Sequence, residues 1–233
     1  VAGTGTIFPL ITLIAFSVVK GNYNVALIQL PRVIRLLPLC SLILAACTLP
    51  DTAEKGDVSA TSAGWKNHVE KVNNLTGYQT RGSFAYIGEN QKTYARFFWQ
   101  QYSADSYKLL LTNPVGSTEL ELIVRDGQTQ LTDNKGQKHY SDDPDNMIYQ
   151  LTGMAIPMEN LRQWITGLPG DAQSYAISNE YHLKALTWSQ GMEKWKVSYQ
   201  SYDDKTSPQL PNRLDIEQGS NRIKLKMDSW TLN

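Results

Sequence analysis

Cys47 is the side chain whose setting most plainly implies chemistry. It follows Leu44-Ala45-Ala46 at the end of an apolar run over 36–46 that opens just after Arg32 and Arg35. A basic flank, a short apolar run and small residues before a cysteine form a bacterial lipobox, in which a peptidase cuts before the cysteine and the thiol takes lipid through a thioether. The run is too short for a stable bilayer span, although an uncleaved anchor or a buried helix would also use such residues. A second apolar stretch covers 7–19, and the chain opens on Val1. That pattern suits either a start assigned too early or an additional insertion segment, and neither belongs to the fold.

Other reactive groups are sparse. His68, His139 and His182 are far apart in the chain, and no second ligand stands near any of them at zinc spacing. Gly-x-Ser-x-Gly, a phosphate-cradling glycine loop and a dinucleotide fingerprint are all missing from the sequence. Asp142, Asp143 and Asp145 cluster, but Asp143 directly before Pro144 and a helical stripe reads as an N-cap with charges that suit the helix dipole. Glu119 and Glu121 alternate with Leu120 and Leu122, which puts both carboxylates on one solvated strand face rather than across a sugar. The expectation is therefore no catalytic set, no metal and no cofactor, hence not an enzyme. A periplasmic hydrolase using Asp/Glu pairs is the weakest of the rival readings.

Apolar side chains are more informative. In 93–99, alternation puts Ala95, Phe97 and Trp99 on one strand face, and neighbouring strands add Leu109, Leu111, Leu120 and Leu122 at matching parity. The segment 143–171 contributes Met147, Ile148, Leu151, Met154, Ile156 and Trp164, with thioethers that adapt to variable apolar shapes. If the sheet curves, these residues line its concave side; pattern alone does not separate a filled core from an empty hollow. In the turn Asn113-Pro114-Val115-Gly116 an apolar Val115 takes the tip, where hairpins usually carry a polar residue. It either folds back on a strand or meets a bilayer or greasy ligand.

The elements that must position these groups follow from periodicity. Trp65, Val69, Val72 and Leu75 recur at helical spacing. Period-two alternation with turn signals then marks strands at 78–88, 92–102, 106–112, 117–125 and 129–133, and again at 175–177, 182–189, 194–202, 213–217 and 222–231. Between the two series, 143–171 reads as two short helices. One large, curved antiparallel sheet capped by helices accounts for this order.

Three regions result: an N-terminal extension and signal peptide over 1–46, a flexible lipidated tether over 47–63, and a single domain over 64–233. The tether would float the domain about 20 Å off a membrane. Loss of the first 46 residues removes Lys20, Arg32 and Arg35 from a balance of 22 basic against 22 acidic residues, leaving a slightly acidic chain unsuited to nucleic acid. Cys40 leaves as well, and Cys47 is consumed by lipid, so packing rather than a disulfide must hold the domain.

Several ordered blocks of residues carry a family resemblance across essentially the whole mature region. They are Tyr78-Gln79-Thr80-Arg81-Gly82, Tyr94-Ala95-Arg96-Phe97-Phe98-Trp99-Gln100, the run from Leu109 through Asn113-Pro114-Val115-Gly116 to Leu120, Leu151-Thr152-Gly153-Met154, Leu161-Arg162-Gln163-Trp164, Gly167-Leu168-Pro169-Gly170 and Ile223-Lys224-Leu225-Lys226-Met227-Asp228. In these blocks the chain resembles the LolB family of outer-membrane lipoprotein receptors. The resemblance implies a mainly β (α+β) fold, an unclosed antiparallel β-barrel with an α-helical lid over an apolar cavity for the acyl chains of client lipoproteins. It implies the periplasmic carrier LolA as partner, outer-membrane lipid as destination, no cofactor and a monomeric receptor anchored through Cys47 in the periplasmic leaflet. It also gives the loop tip, here Val115 where the family usually has Leu, a part in delivery to the membrane. Thr48 after Cys47 agrees with outer-membrane sorting. The competing reading is a passive structural lipoprotein that scaffolds an envelope complex.

Overall fold

The computed structural model describes residues 57–233, so Cys47 and most of the expected tether lie outside the described residues. The chain runs through α1 (Ala63–Asn73), β1 (Tyr78–Ile87), β2 (Lys92–Ser103), β3 (Ser106–Thr112), β4 (Thr118–Arg125), β5 (Gln128–Asp133) and β6 (Lys138–Ser141). It continues through α2 (Pro144–Thr152), α3 (Met158–Trp164), β7 (Ser174–Ile177), β8 (Leu183–Gln190), β9 (Glu193–Asp203), β10 (Leu210–Gln218) and β11 (Asn221–Leu232). Ten of these eleven strands are legible from alternation. The addition is β6, a short edge strand of residues that are all at least partly exposed, which leaves no apolar period to read.

All strands join one antiparallel sheet in the order β6-β5-β4-β3-β2-β1-β11-β10-β9-β8-β7. The first and last strands pair in its middle, and β6 and β7 remain unpaired to each other, so the sheet is unclosed. Sequence order then places the lid: the chain leaves one free edge at β6, forms α2 and α3, and enters the opposite edge at β7.

Register turns alternation into lateral rows on the concave face. Phe97 faces Leu111, which faces Leu120; Trp99 faces Leu109, which faces Leu122 and then Leu131. On the other half, Tyr86, Ile223, Ile216, Val197 and Leu186 make a comparable row across five strands. A bulge between Arg81 and Gly82 lets β1 and β11 keep both sets aligned. A Cβ at Gly82 would fall 1.8 Å from the Lys226 carbonyl oxygen, so only glycine permits that approach.

The helices obey their local signals. Ser62 caps α1 by accepting from the Trp65 amide, and Trp65, His68 and Val72 are buried. Asp143 caps α2 by accepting from the Asn146 amide at 2.9 Å, with Pro144 in the first turn and Gly153 closing the helix at φ 71°. The domain begins earlier than expected from composition: residues 57–63 are held by the Val58 amide donating to the Ile177 carbonyl at 3.1 Å and by a 2.9 Å Asp57–Lys184 ion pair.

Candidate functional site: a lidded apolar face

Of the twelve residues expected to line an acyl cavity, Phe97, Trp99, Leu109, Leu111, Leu120, Leu122, Met147, Ile148, Met154, Ile156 and Trp164 belong to one continuous buried cluster. Leu151 does not and is 39% exposed. It lies in the last turn of a nine-residue helix whose buried side chains are Met147 and Ile148. The apolar stripe therefore stops before Leu151.

The buried apolar face extends well beyond the residues that the sequence pattern singled out. Leu186, Trp188, Trp195, Val197, Leu214, Ile216, Ile223 and Leu225 join the same cluster. Their period-two alternation is as plain in the sequence as that of the first half.

Lid side chains fill the concave face. Trp164, with no exposed surface, stands 6.1 Å from Trp188 and 6.4 Å from Trp195 by ring centroids, and Met158 is equally buried. Apart from the Ser141–Asp143 turn where the chain enters the lid, two side-chain hydrogen bonds tie the lid to the sheet and its turns among the described residues: Tyr199 Oη donates to the Trp164 carbonyl at 3.0 Å, and Gln91 Nε2 to the Thr152 carbonyl at 3.3 Å. Most of the contact between lid and sheet is apolar, and hydrocarbon can replace that part at little net cost. The buried Nε1 groups of Trp164 and Trp195 have no acceptor, an arrangement that costs about 1–3 kcal/mol per group. Gly153 and Gly167, at φ 71° and 81°, bracket the segment carrying α3.

The seam between lid and strand turns holds two adjoining grooves. One of about 400 Å³ is bounded by Asp145, Ile156, Pro157, Trp188 and Trp195. The other, of about 420 Å³, lies against Tyr86, Gln91 and Gly153 and shares Tyr149, Ala155 and Asn221 with the first.

Asp145 sits in this seam and joins the two lid helices. Its Oδ1 accepts from the Met158 amide at 2.9 Å, supplying the cap that Pro157 does not. Burial, helped by Asp143 and Glu159, pushes its carboxyl up to about 6, against the opposing pull of the Met158 N–H. The folded chain thus holds a proton that the unfolded chain releases near 3.8. The resulting stabilisation is complete below that value and is lost as pH rises through about 6. Asp145→Asn should flatten this decline and make the protein about 1–2 kcal/mol more stable than wild type at neutral pH. Urea unfolding from pH 4 to 7 measures it, and identical slopes for both proteins would refute the assignment.

The remaining reactive groups have structural partners. Glu119 accepts from Asn113 Nδ2 at 3.0 Å, and Glu121 pairs with Lys108. His68 and His182 come within 5.1 Å by ring centroids, in an aromatic cluster with Trp65 and Tyr202. Burial, followed by His182 and Lys71, brings His68 down to about 4. Among the described residues, no three His, Cys, Asp or Glu side chains gather to hold a metal ion.

Val115 is 87% exposed, which decides its orientation: the tip points outward. The loop beneath it is held independently of that side chain. Asn113 Oδ1 accepts from the amides of Val115 and Ser117 at 3.1 and 3.0 Å, the Gly116 amide donates to the Asn113 carbonyl at 2.9 Å, and Gly116 takes φ 94°. The result is a rigid hairpin presenting one apolar side chain.

The family described as outer membrane lipoprotein LolB matches residues 76–230. The outer-membrane lipoprotein LolB of Photorhabdus laumondii is 56% identical over 205 residues, covering 88% of this chain and 98% of that protein. Its counterpart from Yersinia pestis (strain Pestoides F) is 56% identical over 199 residues, covering 85% and 95%. A LolA superfamily protein from Nitrosomonas europaea superposes with a TM-score of 0.46 at 11% identity, over 74% of this chain and 94% of that one. The family match runs from just before β1 almost to the end of β11, and the relatives align over nearly their full length: the chain belongs to the LolB family of outer membrane lipoproteins.

Proposed function

We propose that the protein is the outer-membrane receptor that takes lipoproteins from the periplasmic carrier LolA, holds their acyl chains against its concave face and releases them into the outer membrane. Acylated Cys47 is its anchor, the residues that follow it its tether and Val115 its point of contact with the bilayer. The work is non-enzymatic.

The observation that carries this reading is the lid: Met, Ile, Leu and Trp side chains fill an apolar sheet face, are tied down by two side-chain hydrogen bonds and leave two indole donors unpartnered. A long acyl chain costs roughly 10 kcal/mol to expose to water, at about 0.8 kcal/mol per CH₂. A lipoprotein therefore crosses an aqueous space only under protein cover. When the lid swings out, chains can replace Met158 and Trp164 with like for like, and an ester carbonyl can accept from the Trp195 indole N–H that remains on the sheet. Transfer needs only that affinity for the chains rise from carrier to receptor and again from receptor to bilayer.

The test is a handover assay in which LolA loaded with a lipoprotein is mixed with the acylated receptor in vesicles. Client should move to the receptor, and a fluorescent fatty acyl probe should compete for it. A receptor that takes up neither probe nor client would return the chain to the scaffold reading.

A further inference from the structure

The convex face of the sheet carries a groove of about 510 Å³ that the acyl-binding reading does not use. Its floor is small: Ser83 and Ala85 of β1. Register builds its walls. Arg96 and Tyr94 of β2 stand opposite Ser83 and Ala85 on one side, and Lys226 and Lys224 of β11 on the other. Arg213 of β10 faces Lys226 directly, which extends the cationic row. The walls stand two strand spacings apart, about 10 Å. That width suits a phosphodiester better than a folded protein segment.

The charges are not cancelled. Asp228 is shared by Arg96 at 2.7 Å and Lys226 at 2.9 Å, leaving a net positive centre. Asp215 is engaged by Arg222 at 2.5 Å and by Gln200 at 2.8 Å. Arg213 and Lys224 have no ion-pair partner among the described residues and are exposed. Pro114 closes one end of the groove, so the base of the loop that ends in Val115 is part of the groove wall.

We infer that this groove docks the phosphate-bearing headgroup of a membrane lipid, with Arg96, Arg213, Lys224 and Lys226 as its cationic walls. An apolar tip and a basic trough on one side of the molecule combine the two signals that hold a protein against a membrane. Together they set which face turns to the bilayer, something an anchor at one end of the chain cannot do. The inference rests on the reading that the protein works as a receptor at the membrane surface.

The experiment uses the acylated chain in vesicles of phosphatidylethanolamine and phosphatidylglycerol, with a fluorophore on Ser198→Cys. Ser198 is exposed beside Asp215 and outside the groove lining. A nitroxide on the lipid headgroup should quench the label. Arg213→Gln with Lys224→Gln should shift the orientation equilibrium away from contact on the order of tenfold or more, since each cation near an anionic surface contributes about fivefold. Arg213→Lys with Lys224→Arg should keep the contact.

Undiminished quenching in the glutamine variant, or equal quenching by vesicles with neutral glycolipid headgroups, overturns the proposal. So does a glutamine variant that keeps quenching but no longer takes client from the carrier, because the groove would then serve an acidic protein. Val115→Glu separates the two readings. If it blocks insertion while the glutamine variant stays quenched, the groove proposal falls and the tip reading stands. If it inserts normally while the glutamine variant loses quenching, the tip reading falls and the groove proposal stands.

Discussion

Val115→Glu is expected to leave folding and acceptance of client from the carrier intact while slowing insertion into vesicles on the order of a hundredfold. The side chain is 87% exposed, and the loop is held by Asn113 and by backbone bonds that do not involve the Val115 side chain. Stability should therefore stay within about 0.5 kcal/mol of wild type. A carboxylate driven toward hydrocarbon costs about 2.5–3.5 kcal/mol on insertion scales, which gives the fold-change. Val115→Leu should go the other way by a few-fold, since one more buried CH₂ contributes about 0.8 kcal/mol. Release of client from the loaded receptor into vesicles measures both variants. A Glu variant that inserts at the wild-type rate would remove the tip from the mechanism.

Trp164→Ala should have the largest effect on stability and an opposite effect on ligand response. Trp164 is fully buried against Trp188 and Trp195, so truncation should lower unfolding free energy by about 3–5 kcal/mol. The space it leaves is mostly apolar and opens beneath the lid, and such voids stay dry and take hydrocarbon. A fatty acyl probe should consequently raise the melting temperature of the variant more than that of wild type. Loss of stability without this larger ligand response would mean that Trp164 fills ordinary core rather than the space vacated for acyl chains. The buried Trp195 Nε1 offers a second check, because an ester-containing probe should stabilise more than the matching alkane.

Much of the site was legible from spacing because a strand's two faces are set locally. Phe97, Trp99, Leu109, Leu111, Leu120 and Leu122 share a parity, and register placed every one of them in the same concave rows. The Asp143 cap and the rigid Asn-Pro-x-Gly turn are likewise local devices, settled within a few residues. Leu151 shows where such reasoning ends. Helical periodicity puts it on the stripe with Met147 and Ile148, but periodicity carries no information on where the opposing surface stops. The short β6 had no apolar face to announce it, since a solvated edge strand has nothing to bury. Residues 57–63 looked like linker because one backbone bond and one ion pair leave almost no compositional trace.

From residue order alone come the lipobox at Cys47, the strand faces, the helix caps, the apolar turn tip and a family resemblance that the comparisons bear out. These depend on neighbours along the chain, whose sterics and periodicity act at short range. The residue pattern gave one curved sheet and the resemblance implied that it is unclosed under a helical lid; tertiary structure decided which strands form the free edges, β6 and β7, with the helices between them in the chain. It also brought the C-terminal strands into the buried apolar cluster and gathered Arg96, Arg213, Lys224 and Lys226 around one groove. Each of these joins residues that are distant in the chain, so it is fixed by strand pairing and sheet curvature, which no local pattern encodes.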